Sequence, residues 1–309
     1  MQTILGSGGV VGNELAKSLA EYTDKIRLVS RNPEKINEGD ELMSADLLDT
    51  TSVDKAVEGS RIVYVTIGFK YQLNVWRASW PVLINNVIDA CMKHDAKLVF
   101  FDNIYMYDKD YLDGMTEETP INPPSKKGLV RADVYKKIIT KIQEQKLTAL
   151  IARAADFYGP GTHGVSMMTE TIIKPLSNGK RANLMGSAKR VHSYTYTPDA
   201  GKATALLGNT EDAYNQVWHL PTSSEQVTGE QFVNKIAAEL GVSPKFTVVS
   251  KAMLKFIGIF SPIMREMPEM LYQYQNDYRF DSSKFEKRFN MEPISYDQGI
   301  KNVLESDFS

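Results

Sequence analysis

The sequence predicts an α/β fold: a doubly wound parallel sheet with helices on both faces, followed by a smaller C-terminal α+β part. Three observations predict it. Short apolar runs alternate with amphipathic helical stretches through the first 160 residues. The run "RIVYVTIG", 61–68, is apolar almost throughout, as a strand buried on both faces of a parallel sheet must be. The first strand also runs through a glycine turn directly into a helix, "TILGSGGVVGNELAKSLA", 3–20.

In chain order, residues 2–6 read as the first strand and 10–21 as a helix. "KIRLVSR", 25–31, is a second strand, and Pro33 ends it and is expected to open a short helix. "ELMSAD", 41–46, is a weaker third strand, and "TTSVDKAVEG", 50–59, is a helix with a polar start and a glycine stop. Strand 61–68 is followed by a long helix, 74–94, then by "AKLVFFDNIYMY", 96–107, a strand with its exit loop. Residues 128–145 are helical, and "LTALIARAADFYG", 147–159, contains another buried strand. Beyond about 160 the pattern changes. Strands are expected near 181–184, 215–220 and 245–249, and helices near 164–176, 228–240 and 250–258. The expected division is a first domain over 1–160 and a second mainly over 161–309, with about 190–220 returning to the first.

Composition narrows the function classes. A chain of 309 residues, 42% hydrophobic, can bury a large core. A net charge of -2 carries no nucleic-acid footprint. The single cysteine, Cys91, reads as a small core residue and excludes an intramolecular disulfide. That fits a reducing compartment, and no signal-peptide layout is present, so a cytoplasmic protein is expected. No apolar run approaches the ~20 residues of a membrane span, so no integral membrane association is expected. The nearest, 248–271, is broken by charges and reads as part of a pocket or interface rather than a membrane-surface helix or a lid. Four scattered histidines and one cysteine give no ligand spacing, so no metal is expected, and no G-x-S-x-G elbow is present.

The glycine turn carries the first chemical signal. Gly6, Gly9 and Gly12 are spaced G-x-x-G-x-x-G, with Gly8 between them and Val10 and Val11 opening the helix. Such a turn lets backbone approach a pyrophosphate that the helix N-terminus attracts, which is the context of a Rossmann-like dinucleotide site. The second strand ends in Ser30 and Arg31, without the acid that holds the ribose hydroxyls of NAD. Arg31 offers a fixed cationic fork to a 2'-phosphate, so NADP is the expected cofactor, with NAD the alternative. Asp46 and Leu47 are placed on the adenine side. Thr66, Ile67 and Gly68 end the fourth strand beside the cofactor.

With those segments in place, the chain resembles the extended short-chain dehydrogenase/reductase family, in its nucleotide-sugar epimerase and dehydratase branch. The resemblance covers nearly the whole chain. "SADLLD", 44–49, looks like the adenine-side segment, and "FFDNIYMYDKD", 101–110, occupies the place of the active-site strand. "ADFYGPG", 155–161, resembles the nicotinamide-side segment and marks Phe157 and Tyr158 as cofactor neighbours. "HSYTYTPDAGKA", 192–203, resembles the stretch leading into a helix beside the substrate domain, with Asp199 as a helix cap or loop tie. The departures concern the reaction. Asn103 stands where the family places serine or threonine. In "NPPSKKGLVRADVYKK", 122–137, Lys127 falls at the tyrosine position and Arg131 at the lysine position of the tyrosine-x-x-x-lysine pair. The resemblance therefore implies an atypical, divergent subgroup.

The resemblance implies hydride transfer at a carbon bearing oxygen, which requires a group to manage the oxygen's proton. The candidates are Tyr105 and Tyr107 in the exit loop and Lys127, for which burial beside a cation such as Arg131 favours an acid–base role. Asn103 can orient an oxygen or a water. If the exit loop stays extended, residues 103, 105 and 107 share a face. His163, His192 and Tyr158 are further acid–base candidates. The basic residues of 126–153 fit a solvated helix face and, beside a cleft, an anionic substrate. Arg181, Lys189 and Arg190 lend weak support to a nucleotide sugar. The expected function is an NAD(P)-dependent oxidoreductase or epimerase-like enzyme. Its small-molecule substrate would be a sugar, nucleotide sugar or small carbonyl compound, and relatives imply a homodimer. The alternative is a catalytically weak NADP-binding sensor or scaffold.

Overall fold

Seven short parallel strands carry the first part of the chain. The computed structural model describes residues 1–259 and 262–309. Phe260 and Ser261, within the 248–271 stretch read as pocket or interface, lie outside the described residues. The described chain forms two units: one of residues 1–106, 127–153 and 198–220, the other of 107–126, 154–197 and 221–309.

In the first unit the strands are β1 (Gln2–Leu5), β2 (Ile26–Ser30), β3 (Glu41–Ser44), β4 (Ile62–Val65), β5 (Lys97–Asp102), β6 (Ala149–Arg153) and β7 (Val217–His219). Their spatial order is β7-β6-β5-β4-β1-β2-β3. Thr3 of β1 sits opposite Arg27 of β2 and Val63 of β4, and every pairing is parallel. β1 and β4 are buried at every residue: β4 is an unbroken apolar run, and in β1 the buried Gln2 and Thr3 side chains bond Asn209, Tyr64 and Ser60, whereas the edge strand β3 is largely exposed. The strand order reverses between β1 and β4. In open α/β sheets that reversal opens a crevice at the carboxyl ends of the strands.

The crossover helices are α1 (Val10–Leu19), α2 (Thr50–Val57), α3 (Leu73–Lys93), α4 (Lys126–Gln143) and α5 (Thr197–Gly208). α1 buries Val11, Leu15 and Leu19 at four-residue spacing. α2 starts where the Asp49 carboxylate accepts the Ser52 N–H at 2.7 Å. The inward stripe of α4 runs through Lys127, Arg131, Val134 and Ile138, so two cations occupy core-facing positions. The sheet core includes Leu5, Val29, Val65, Leu83, Phe100 and Ile151. Cys91 is buried within it.

Two expectations for this unit are corrected. Pro33 opens no helix: the segment is a loop held by Asp40, whose carboxylate accepts the backbone N–H groups of Ile36 and Asn37 at 3.0 and 2.7 Å. A side chain that satisfies those donors removes the need for helical hydrogen bonds. The exit of β5 is also not extended. Asn103 Oδ1 accepts the Tyr105 N–H at 3.0 Å, and the chain turns over 104–106, which breaks the alternation expected of 103, 105 and 107.

The second unit has its own aromatic core, with Tyr158, Tyr194, Phe232, Ile236, Tyr296 and Ile300. Its strands form parallel pairs: 156–158 with 194–196, 182–185 with 246–249, and 279–280 with 113–115. The helix expected near 164–176 is a π-helical turn, Thr169–Ile173, running into a short helix, Lys174–Ser177. Helix Gly229–Leu240 falls where it was expected. The sequence reading did not anticipate helices Ser283–Phe289 and Tyr296–Asp307. Among the described residues no helix is long and apolar enough to cross a membrane, and no group of three or more histidine, cysteine or carboxylate side chains is arranged to hold a metal ion.

Candidate active site

The glycine turn lies at the carboxyl end of β1, at the point where strand order reverses. Gly6 has φ +104°, and a Cβ there would stand 2.5 Å from the Ile67 backbone nitrogen. No other residue type fits that conformation and contact together. Gly12, in the first turn of α1, lets the helix approach Gly6 O and Thr66 Oγ1, which a Cβ would meet at 2.9 and 3.0 Å. Thr66 closes the turn from the other side: its N–H donates to Leu5 O at 3.0 Å and its hydroxyl faces Gly6 O at 3.4 Å. Gly9 is the N-cap of α1 and supplies no side-chain cap, and the first turn carries no acid. The Ser7 hydroxyl is buried and has no hydrogen-bond partner. Uncapped N–H groups, a buried hydroxyl seeking a partner and no opposing carboxylate form a fitting cradle for a phosphate.

The other cofactor candidates flank that turn on the same sheet. Ser30 ends β2, and Arg31 follows it with an exposed side chain while its carbonyl accepts the Ser44 hydroxyl at 2.8 Å. Asp46 is exposed just beyond β3 and holds the Leu48 N–H at 3.0 Å, whereas Leu47 is buried in the core. Gly68 is exposed beyond β4, after the partly buried Thr66 and Ile67. The structure thus brings Gly6, Gly8, Gly9, Val10, Val11, Gly12, Thr66 and Ile67 to adjoining strand ends of one unit. Phe157 and Tyr158 belong to the other unit. The Tyr158 ring is 1% exposed and packs on Tyr194, Tyr196 and Tyr296.

At the end of β5 the sheet holds a buried charge cluster. Asp102, 2% exposed, takes the Arg131 guanidinium through Nε at 2.9 Å and through a second nitrogen. The Arg153 Nε stands 3.5 Å from the other carboxylate oxygen. The Arg131 guanidinium lies over Trp80, 4.1 Å from the ring centroid, and that of Arg153 over Tyr135 at 4.7 Å. Lys127 is fully buried, one helical turn before Arg131, with Nζ 4.7 Å from the centre of the Tyr71 ring. Lys127 therefore does not belong to the solvated helix face read for the basic residues of 126–153. Tyr105 is partly buried and stacks on Trp76 at 6.1 Å. Tyr107 is buried and belongs to the second unit.

The remaining candidates are accounted for locally. His163 is half exposed, lies 3.6 Å from the Asp307 carboxylate and packs on Phe308. Arg181 ties the neighbouring strand through the Thr247 hydroxyl at 3.1 Å and the Phe246 carbonyl. Asp199 sits in the first turn of α5, after its start at Thr197, rather than at a cap position. His192 is buried and bonded to Asp156. Asp102, Tyr71, Trp76 and Trp80 were missed by sequence reasoning, and Arg153 was read only as one of the basic residues of 126–153. The signal was present: a charged residue closing an otherwise apolar strand, as in "LVFFD" and "ALIAR", must find a buried counter-charge.

A parallel sheet of this order with a glycine turn after its first strand defines a Rossmann-like α/β protein of the short-chain dehydrogenase/reductase type. The model of the NAD dependent epimerase/dehydratase family matches residues 3–218, and the chain belongs to that family. A curated relative, 3beta-hydroxysteroid-dehydrogenase/decarboxylase isoform 2 of Arabidopsis thaliana, is 21% identical over 292 residues. That match covers 85% of this chain and about half, 51%, of the relative. Among solved structures, a double mutant of a dTDP-glucose 4,6-dehydratase from Streptomyces venezuelae, with NAD bound, superposes with a TM-score of 0.81 at 14% identity. It covers 99% of this chain and 96% of its own. A UDP-glucose 4-epimerase from Thermus thermophilus in complex with NAD gives 0.78 at 15% identity, covering 99% and 98%. At these identities the likeness is one of fold.

Proposed function

We propose that this chain is an NAD(P)-dependent oxidoreductase or epimerase-like enzyme that acts on a sugar, a nucleotide sugar or a small carbonyl compound. The observation that carries the reading is the phosphate cradle of Gly6–Gly12 with the unpartnered Ser7 hydroxyl. The relatives support the substrate class, since their structures hold NAD and their names specify nucleotide sugars.

A nicotinamide cofactor, when bound, supplies the hydride acceptor or donor. The chain's own residues do the rest. α1 and Ser7 hold phosphate oxygens, and Arg31 pairs with a 2'-phosphate, so the preferred cofactor is NADP. That preference tips the reading toward a reductase. Lys127 Nζ gives a proton to the substrate oxygen on reduction and takes it back on oxidation, and Asn103 and Tyr105 orient that oxygen. Arg131, held by Asp102, positions the end of β5 and the first turns of α4. Basic side chains on α4 favour an anionic substrate.

The test begins with cofactor-stripped protein titrated with NADPH and NADH while nicotinamide fluorescence is followed. NADPH is expected to bind tighter, and Arg31→Ala to cost about ten- to a hundredfold of that affinity, the size of a charged hydrogen bond. Tighter NADH binding overturns the role of Arg31 and favours an epimerase. With a panel of sugar nucleotides and ketones, Lys127→Met is expected to lower kcat by about 10²–10⁴ with cofactor affinity unchanged. Cofactor binding without turnover of any member of the panel supports the sensor reading instead. The absence of any cofactor binding by folded protein overturns both.

A further inference from the structure

The second unit carries an apolar patch that the cofactor and reaction chemistry leave unused. Val242, Val248, Met253, Phe256, Ile257 and Ile259 are all exposed, Phe256 at 67% and Ile259 at 63%. They are six of the fifteen exposed large apolar side chains among the described residues, gathered within eighteen positions. A soluble surface that gathers such side chains marks an interaction site. The short helix Lys251–Ile257 presents three of them: Met253, Phe256 and Ile257 stand at i, i+3 and i+4, on one face. The rest of the helix is firmly seated. Leu254 is fully buried, the Ser250 hydroxyl accepts the Met253 N–H at 3.3 Å, and Arg265 Nε donates to Gly258 O at 3.1 Å. The sequence suggests a pocket or interface for this stretch; the structure turns its apolar side chains outward.

The surroundings of the patch are cationic. No acid lies between Glu239 and Glu266, a stretch that holds Lys245, Lys251, Lys255 and Arg265. Lys245, Lys251 and Lys255 are exposed. Strand 246–249 pairs with 182–185, and the Ala182 N–H donates to Lys245 O at 2.9 Å, which brings the exposed Lys180 and Arg181 close to Lys245. Between Glu170 and Asp199 that partner segment has no acid either. In a chain of net charge -2 this is a local excess of positive charge, and it decides between occupants. A second copy seated on the patch about a two-fold axis would set lysine against lysine. A neutral apolar partner would leave the cations unanswered. An anionic bilayer surface answers both: its headgroups take the lysines, whose stems lie along the boundary, and its acyl edge takes the apolar side chains.

We propose that the surface of residues 242–259 docks this protein on an anionic membrane, with Met253, Phe256, Ile257 and Ile259 entering the boundary between headgroups and acyl chains and Lys245, Lys251 and Lys255 meeting lipid phosphates. The contact is peripheral and reversible, since a seven-residue helix and a few side chains lie on a bilayer and do not span it. The proposal goes beyond the catalytic reading above and holds whatever the substrate is.

The full-length protein is mixed with large unilamellar vesicles, either phosphatidylglycerol and phosphatidylcholine in equal parts or phosphatidylcholine alone, and the bound fraction is read by flotation. The protein is expected to float with the anionic vesicles, to bind the neutral ones at least about tenfold more weakly, and to be released as salt rises. Phe256→Glu is expected to weaken binding to anionic vesicles by about ten- to a hundredfold, the factor of one buried aromatic side chain. Lys251→Gln combined with Lys255→Gln is expected to weaken it about tenfold or more. Circular dichroism reports whether each variant is folded, and if Phe256→Glu fails to fold, the lysine pair and the two vesicle compositions decide. The absence of flotation with anionic vesicles overturns the proposal. Equal binding to both compositions overturns it as well. So does binding that the folded variants leave unchanged, which would place the contact elsewhere, as on the basic residues of α4. The mass in the absence of lipid is read by light scattering. A wild-type mass that Phe256→Glu lowers would assign the patch to a second copy of the chain and overturn the membrane assignment.

Discussion

The chemistry of the first unit rests on single residues whose surroundings leave few substitutes. Asp102 answers two buried guanidiniums, so Asp102→Asn leaves Arg131 and Arg153 without their counter-charge. That change is expected to cost about 3–5 kcal/mol of stability, measured by urea unfolding. A loss below about 1 kcal/mol would mean that the guanidiniums are satisfied elsewhere. Gly6 is constrained twice, by its positive φ and by the Ile67 backbone 2.5 Å from any Cβ. Gly6→Ala is expected to abolish NADPH binding in the fluorescence titration, because the turn must open to admit the methyl group. The glycine was legible in the sequence because spacing and context suffice for it. That Asp102 and Arg153 each close an apolar strand was legible too, but that they answer each other was not, because each lies in its own strand. Only the β5–β6 register, which sets Asp102 opposite Arg153, brings the charges together.

At the scale of elements, regular structure follows local pattern wherever the pattern is complete. Helix Gly229–Leu240 has a full capping box: Thr228 and Gln231 exchange side chain and backbone bonds, and Gly241 closes it in the left-handed region. Thr228→Ala is expected to lower stability by about 1 kcal/mol, seen as a shift of the urea midpoint without a change in slope. Where side chains compete for backbone donors, pattern misleads. Asp40 turns the segment after Pro33 into a loop, and Asn103 folds the exit of β5 into a turn. A sequence-level reader sees Asp and Asn at those positions without knowing which N–H groups they reach. The π-helical turn at 169–173 is a similar case, since helical periodicity cannot distinguish it from an α-helix.

The whole molecule carries buried ionisable groups in both units, and these predict its response to alkali. Burial holds the Tyr64 and Tyr214 hydroxyls of the first unit, and those of Tyr194 and Tyr296 in the second, above the usual phenol range. The Cys91 thiol is pushed up to about 12 by burial. In each case the unfolded chain ionises first. Stability is thus full below the unfolded values, about 8.5 for cysteine and 10 for tyrosine, and is lost as pH rises beyond them. Urea unfolding free energy is expected to begin falling near pH 9 and to fall steeply above about pH 10. A flat profile to pH 11 would contradict the burial of these groups. Large apolar side chains are also exposed on two crossover helices, Val82 on α3 and Leu129 on α4, the latter 58% exposed. We propose that the homodimer implied by the resemblance pairs through α3 and α4, where these side chains lie. Light scattering is expected to give twice the chain mass for the wild type and the single mass for Leu129→Glu. A monomeric wild type would end that proposal.

Sequence by itself determined the alternation of strands and helices in the first unit, the glycine turn and the family. These depend on periodicity and on residues close together in the chain, which a linear reading can see. Only the tertiary structure decided that Arg131 is held by Asp102, that Lys127 is buried over Tyr71, and that His192 has one nitrogen bonded and one bare. Those facts depend on partners tens of residues away, joined by strand register and helix seating. The energy of a buried charge or lone pair is set by what surrounds it in space.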